Sequence, residues 1–247
     1  MATERKLLHG DGPDLDERRP ESAETTVIVR RMDGGPDLVI KQAQLLAHDF
    51  FSLDDSSAGA KAFDAQVGKG DPDRISVSDV VAINTTMRAR SPHTAWEKLT
   101  ARPEPLPWLA AIPTDVELFR VDEVHWAELR PLLVAALGQA VGPYRNLSVV
   151  TKVLHLKRPH LFPVVDSLVV QQVGGVGRPA AELLDHFRRV GRDNSEALSR
   201  IDAHLEKGGI RRTRVRILDA LLWASHPAAG LAPRLGHWQH VLAPRCG

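Results

Sequence analysis

The chain has 247 residues, 43% hydrophobic and 26% charged, ordinary for a soluble globular protein of one large domain or one and a half. Its single cysteine, Cys246, excludes a disulfide framework and a cysteine metal cage. No stretch is long and apolar enough to span a membrane, and MATERKLLHGDGPDLDERRP lacks an apolar signal core, so a cytoplasmic protein away from membranes is expected. A net charge of +1 argues against a dedicated DNA binder, but its distribution is uneven. Residues 1–141 carry 16 Lys and Arg against 23 Asp and Glu, whereas residues 142–216 carry 14 against 7. Such a chain can turn one basic face toward a polyanion and stay soluble, although arginines also accumulate on solvated helix faces.

Residues 1–22 are polar and aperiodic and predict a disordered lead-in. TTVIVRR (25–31) is the one β-like run, and DGGPD (33–37) can turn it into a hairpin with Leu38–Ile40. Residues 1–40 are therefore expected to form a flexible arm, and residues 41–247 a helical domain. Helical pieces follow at 45–53 and 60–67. Ser76, with Asp79 three residues on, predicts a capped helix start, and SPH (91–93) an end. AWEKL (95–99) reads as a short helix. The prolines of RPEPLPW (102–108) predict extended chain. Residues 123–140 read as a helix with Val124, Leu129, Leu132, Leu133 and Leu137 inward.

Further helices are predicted at 147–157, 165–173, 179–190, 195–206 and 210–224, with GGVGRP (174–179) as a turn. Leu198, Ile201 and Leu205 have the spacing of a half-buried helix. The arginines of RRTRVR (211–216) fit a solvated helix face better than a recognition helix. About ten short helices with hardly any strand make an all-α fold, expected in two lobes. Scattered histidines without an HExxH or CxxC pattern give no metal site, and GGVG follows no strand, so no metal or cofactor is expected.

One segment breaks the helical grammar. TKVLHLKRPHLFPVVD (151–166) begins as a helix with apolar Val149, Val150, Val153 and Leu154. Lys157, Arg158 and Pro159 close it, and Phe162–Pro163 links to a new helix whose first turn holds Asp166. This order of TKV helix, KRP turn and PVVD helix start resembles the catalytic segment of the helix-hairpin-helix DNA glycosylase superfamily, especially its 8-oxoguanine glycosylase branch, over residues 151–170. A longer stretch, about 75–170, is similar to an uncharacterised actinobacterial family of all-helical domains.

The first resemblance implies a two-lobed glycosylase fold that excises a damaged or modified base from DNA, in repair or in defence against phage with modified DNA. Lys152 matches the family's lysine and Asp166 its aspartate. That chemistry needs a carboxylate to stabilise the cationic sugar, and a lysine of lowered pKa to attack C1′ if strand cleavage follows. The superfamily grips a DNA phosphate with a glycine hairpin just before the lysine. Here that place holds YRNLSVV (144–150), so Arg145, Asn146 and Ser148 are the substitute DNA contacts, joined by Lys157 and Arg158. The Lys152–Asp166 interval is also shorter than the family's. A flipped base would need a pocket, for which Tyr144, His155, His160, Trp108 and Trp126 are candidates. The partner is then DNA, and a monomer is expected.

Each assignment has a plainer counterpart. Asp166 can be a helix cap, Lys152 a lysine snorkelling from a buried helix, and Lys157 and Arg158 the cations expected at a helix C-terminus. The alternative function is a non-catalytic helical module that binds nucleic acid or protein.

Overall fold

A computed structural model describes residues 25–52, 59–139 and 147–229. Eleven α-helices and one two-stranded sheet make up these residues, so the all-helical expectation holds. No helix among them is long and apolar enough to cross a membrane.

Strands β1 (Val27–Val29) and β2 (Leu38–Ile40) pair antiparallel, with Val27 opposite Ile40. The hairpin is as expected, but residues 25–40 are no free arm. Val27, Val29 and Ile40 are fully buried. The Asn194 side-chain amide accepts from Ile28 N and donates to Ile28 O, and Met32 N donates to Val173 O. A strand pair too short to be stable alone is thereby welded to the helical body.

Helices α1 (Ala43–Ser52) and α2 (Ala60–Asp64) precede α3 (Val77–Thr86). The Ser76–Asp79 capping box forms as predicted: Asp79 N donates to Ser76 Oγ, and Ser76 N to Asp79 Oδ2 at 2.7 Å. α3 stops at Thr86, ahead of SPH, because Arg88 and Arg90 adopt left-handed backbone conformations. A 3₁₀ turn (His93–Ala95) leads into α4 (Glu97–Thr100). The proline-rich stretch is extended only to Leu106. Pro107 opens α5 (Pro107–Ala110), since its fixed φ and missing N–H suit a first helical position.

α6 (Glu123–Gln139) carries Pro131 inside it. Its inward stripe differs from the one predicted: Val124 is 72% exposed and Leu132 37%, whereas Trp126, Leu129, Leu133 and Ala136 are buried. Counting leucines missed that Trp126 sets the stripe.

The last five helices are α7 (Leu147–Lys157), α8 (Ser167–Gln172), α9 (Ala180–Asp193), α10 (Ser195–Lys207) and α11 (Arg214–Ala224). α11 is the hub, packing against α1, α8, α9 and α10, and residues 215–222 are all buried. The solvated face expected for RRTRVR holds only at its start, where Arg211 is exposed: Arg216 is 3% exposed and Arg214 sits between Glu117 and Asp202. Buried apolar side chains from Val27 to Ala224 form one continuous core.

Candidate functional site

The broken helix at residues 151–166 is held at almost every polar backbone group. After α7, Leu161 N and Phe162 N both donate to Arg158 O, at 3.0 and 3.1 Å. His155 Nδ1 donates to Phe162 O at 2.7 Å, and Pro163 has no N–H to satisfy. Val164 N donates to Asp219 Oδ2 at 2.9 Å, and Val165 N to Thr151 Oγ1 at 3.1 Å. Asp166 is the N-cap of α8, one position before the first turn in which the sequence suggested it. Its Oδ1 accepts from Leu168 N and Val169 N at 3.0 Å each. Its Oδ2 has no hydrogen-bond partner among the described residues.

Lys152 lies on α7, 6% exposed. Its ammonium donates to Ser148 Oγ at 3.1 Å and approaches Met87 O at 3.5 Å. Burial lowers its pKa from the usual lysine value; the negative charge of Asp166 opposes that shift and Arg216 adds to it. The structure thus brings Lys152, Ser148 and Asp166 into one electrostatic neighbourhood, with the C-terminal end of α3 on the other side. Gly59 closes in on that end. A Cβ there would lie 1.4 Å from Thr86 O, and its φ of +64° is one glycine tolerates.

The other sequence-derived candidates are dispersed. Arg158 is 1% exposed, and its guanidinium donates to the carbonyls of Ile112, Pro72, Lys157 and Leu109 and to Asp73. A phosphate ligand must reach solvent, so Arg158 is corrected to a scaffold residue that ties the α7 terminus to the 72–73 and 109–112 segments. Lys157 is corrected likewise: it is buried, bonded to Asp79 at 2.8 Å and to Asp71 O at 3.2 Å. Trp126 is buried beneath the Arg188 guanidinium, 4.8 Å from its ring centre, and Trp108 is half-buried against the main core. His155 is buried and stacks on Phe63, held neutral by burial at a pKa of about 4, whereas His160 is exposed. Both line a different cleft, with Arg216. Tyr144, Arg145 and Asn146 fall outside the described residues.

Sequence reading missed Arg88 and Arg90. Both are exposed, both have positive φ (48° and 52°), and neither has an ion-pair partner among the described residues. Their loop is locked. Asn84 Nδ2 donates to Ser91 O and Asn84 Oδ1 accepts from Ser91 N, Trp96 Nε1 donates to Ser91 Oγ, and Ala89 N to Ile83 O. Left-handed arginines cost energy that the clamp must hold, and such strain gathers at functional sites. The only sequence signal was TTMRARS, a basic stretch at a helix end.

Comparison with curated proteins and with solved structures returned no match. Residues 43–226 match the Family of unknown function (DUF6308), which spans α1 through α11, and the chain belongs to that family.

Proposed function

We propose that this chain is a DNA N-glycosylase-like enzyme acting on a damaged or modified base. The observation that carries the reading is Lys152: a buried amine, its pKa lowered by burial, electrostatically coupled to a carboxylate fixed at a helix start. As the C1′–N bond breaks, the base leaves with the bonding electrons and the sugar becomes cationic. Asp166 stabilises that cation through its unshared oxygen. Lys152, as the neutral amine favoured by burial, attacks C1′; the C1′–O4′ bond then opens, O4′ takes up a proton given up by the amine, and the resulting Schiff base is later hydrolysed by water. Arg88 and Arg90, beside the Met87 carbonyl that Lys152 approaches, supply cations for flanking phosphates.

The second reading has its own observation. Asp166 is a complete helix cap and Lys152 has a hydroxyl partner, which suffices for a structural corner in a non-catalytic binding module.

The experiment offers DNA duplexes carrying a panel of modified bases and scores alkali-labile abasic sites, with Asp166→Asn and Lys152→Ala in parallel. The glycosylase reading expects release of one base class, abolished by Asp166→Asn. Borohydride traps a covalent complex with the parent and not with Lys152→Ala. Salt-dependent DNA binding with no release across the panel favours the binding module, and full excision by Asp166→Asn removes the aspartate's assigned role.

A further inference from the structure

A second polar cleft, of about 370 Å³, opens where the end of α7 meets the start of α11. Asp64, His155, His160, Arg211, Arg212 and Arg216 line it, three guanidiniums against one carboxylate. That carboxylate is fully engaged: Oδ2 accepts from Arg212 Nε and Oδ1 from Arg216 Nε, both at 2.8 Å. Arg216 is 3% exposed and spends Nη1 on Asp219. Its Nη2 is buried and has no hydrogen-bond partner among the described residues. An orphaned buried guanidinium donor is costly to leave unpaired, so a ligand acceptor beside it has a standing advantage. At the rim, Arg211 is 87% exposed with only a loose contact to Glu206 at 3.8 Å, and His160 is exposed. The first turn of α11, capped by Thr213, adds its positive end.

His155 narrows the chemistry. Its Nδ1–H is committed to Phe162 O, so in the neutral ring Nε2 is an acceptor. A ligand that satisfies both His155 and the arginines carries oxyanion oxygens and an O–H together. We propose that this cleft binds a terminal phosphate monoester, its oxygens on Arg211, Arg212 and Arg216 and its P–OH or a neighbouring hydroxyl on His155. Free nucleotide and the 5′-phosphate end of a nucleic acid strand share that chemistry. The site does not depend on the glycosylase reading, since it uses neither Lys152 nor Asp166.

The test uses the full chain with inorganic phosphate, AMP, adenosine, sulfate, and one oligonucleotide with and without its 5′-phosphate. Histidine side-chain NMR is recorded alongside calorimetric titration, with His160→Gln assigning the His160 signal. Phosphate and AMP are expected to shift the His155 and His160 signals and leave His125 unmoved, with sulfate at least fivefold weaker and adenosine silent. Arg211→Ala combined with Arg212→Ala lowers affinity for phosphate and AMP at least tenfold. AMP binding alone identifies a small-molecule site. Binding of only the 5′-phosphorylated oligonucleotide identifies a strand end, and either result supports the proposal. Signals that stay still in the unaltered protein at millimolar phosphate overturn it, as do sulfate binding as tightly as phosphate or an unphosphorylated strand competing equally. The unaltered-protein measurement stands even where an arginine variant fails to fold.

Discussion

Replacing Asp166 with Asn keeps the two hydrogen bonds that start α8, because an amide oxygen accepts from Leu168 N and Val169 N as the carboxylate does. Replacing it with Ala removes both. Loss of an N-cap costs about 1 kcal/mol, with a range of roughly 0.5–2, and Asn is as good a cap as Asp. The charge itself, at a half-buried helix N-terminus, contributes about 0.3–1 kcal/mol. Asp166→Asn is therefore expected to lose about 0.5 kcal/mol and Asp166→Ala about 1.5–2 kcal/mol, measured by urea denaturation. The charge has a second reader. Asp166 is the carboxylate that holds up the pKa of Lys152 against burial, so both variants must lower that pKa further. NMR titration of the lysine side chain follows it directly. Equal destabilisation by Asn and Ala would show that capping is not what Asp166 contributes. A Lys152 titration unmoved in both variants would refute the coupling on which the proposed chemistry rests.

Lys152→Met is expected to leave stability unchanged or raise it by about 1 kcal/mol, because a buried charge with few hydrogen bonds is replaced by an apolar isostere; a loss of several kcal/mol in denaturation would make Lys152 a scaffold residue. Arg158→Met runs the other way. It strands a half-buried carboxylate, Asp73, and several carbonyls, costing about 3 kcal/mol, and near-parental stability with weakened DNA binding would restore its role as a phosphate ligand. His155 makes stability pH-dependent. Its folded pKa, about 4, lies below the unfolded 6.5, so between them the unfolded chain binds more protons. The stability is complete above pH 6.5 and falls as pH drops toward 4, by about 3 kcal/mol at most. His155→Gln should flatten that part of the denaturation profile, and an identical slope would contradict the burial of a neutral ring.

Helices were legible wherever an apolar stripe met a proper cap. Ser76–Asp79 and the Leu198, Ile201, Leu205 stripe were both plain in the sequence, since each depends only on neighbours within a turn or two. α6 was misread on its inward face because burial of Trp126 depends on Arg188, 62 positions later. The same reason hid the place of the hairpin, whose partners are Val173 and Asn194. Of the site, the Lys152 and Asp166 neighbourhood was visible as a motif. The fate of Lys157 and Arg158 was not, because helix-end cations read alike whether they face water or a buried ring of carbonyls. Arg88 and Arg90 belong to no motif, and only the folded loop gives their backbone its left-handed turn.

The buried cations of this chain sort by how completely they are satisfied. Arg158 and Lys157 have carbonyls and a carboxylate around them, the arrangement that lets a charge sit in a low-dielectric interior without a ligand. Lys152 and Arg216 are less completely satisfied. The lysine has one hydroxyl and a distant carbonyl, and the arginine keeps an orphaned Nη2 although Asp64 and Asp219 hold its pKa above the ordinary value against burial. Both sit against the same structural element, since Asp219 links Arg216 to Val164 N while Asp166 follows two residues on. An anion on Arg216 would weaken its hold on Asp219, and through Val164 bear on the segment that aims Asp166. The broken helix is therefore the piece of backbone through which Lys152 and Arg216 can sense one another.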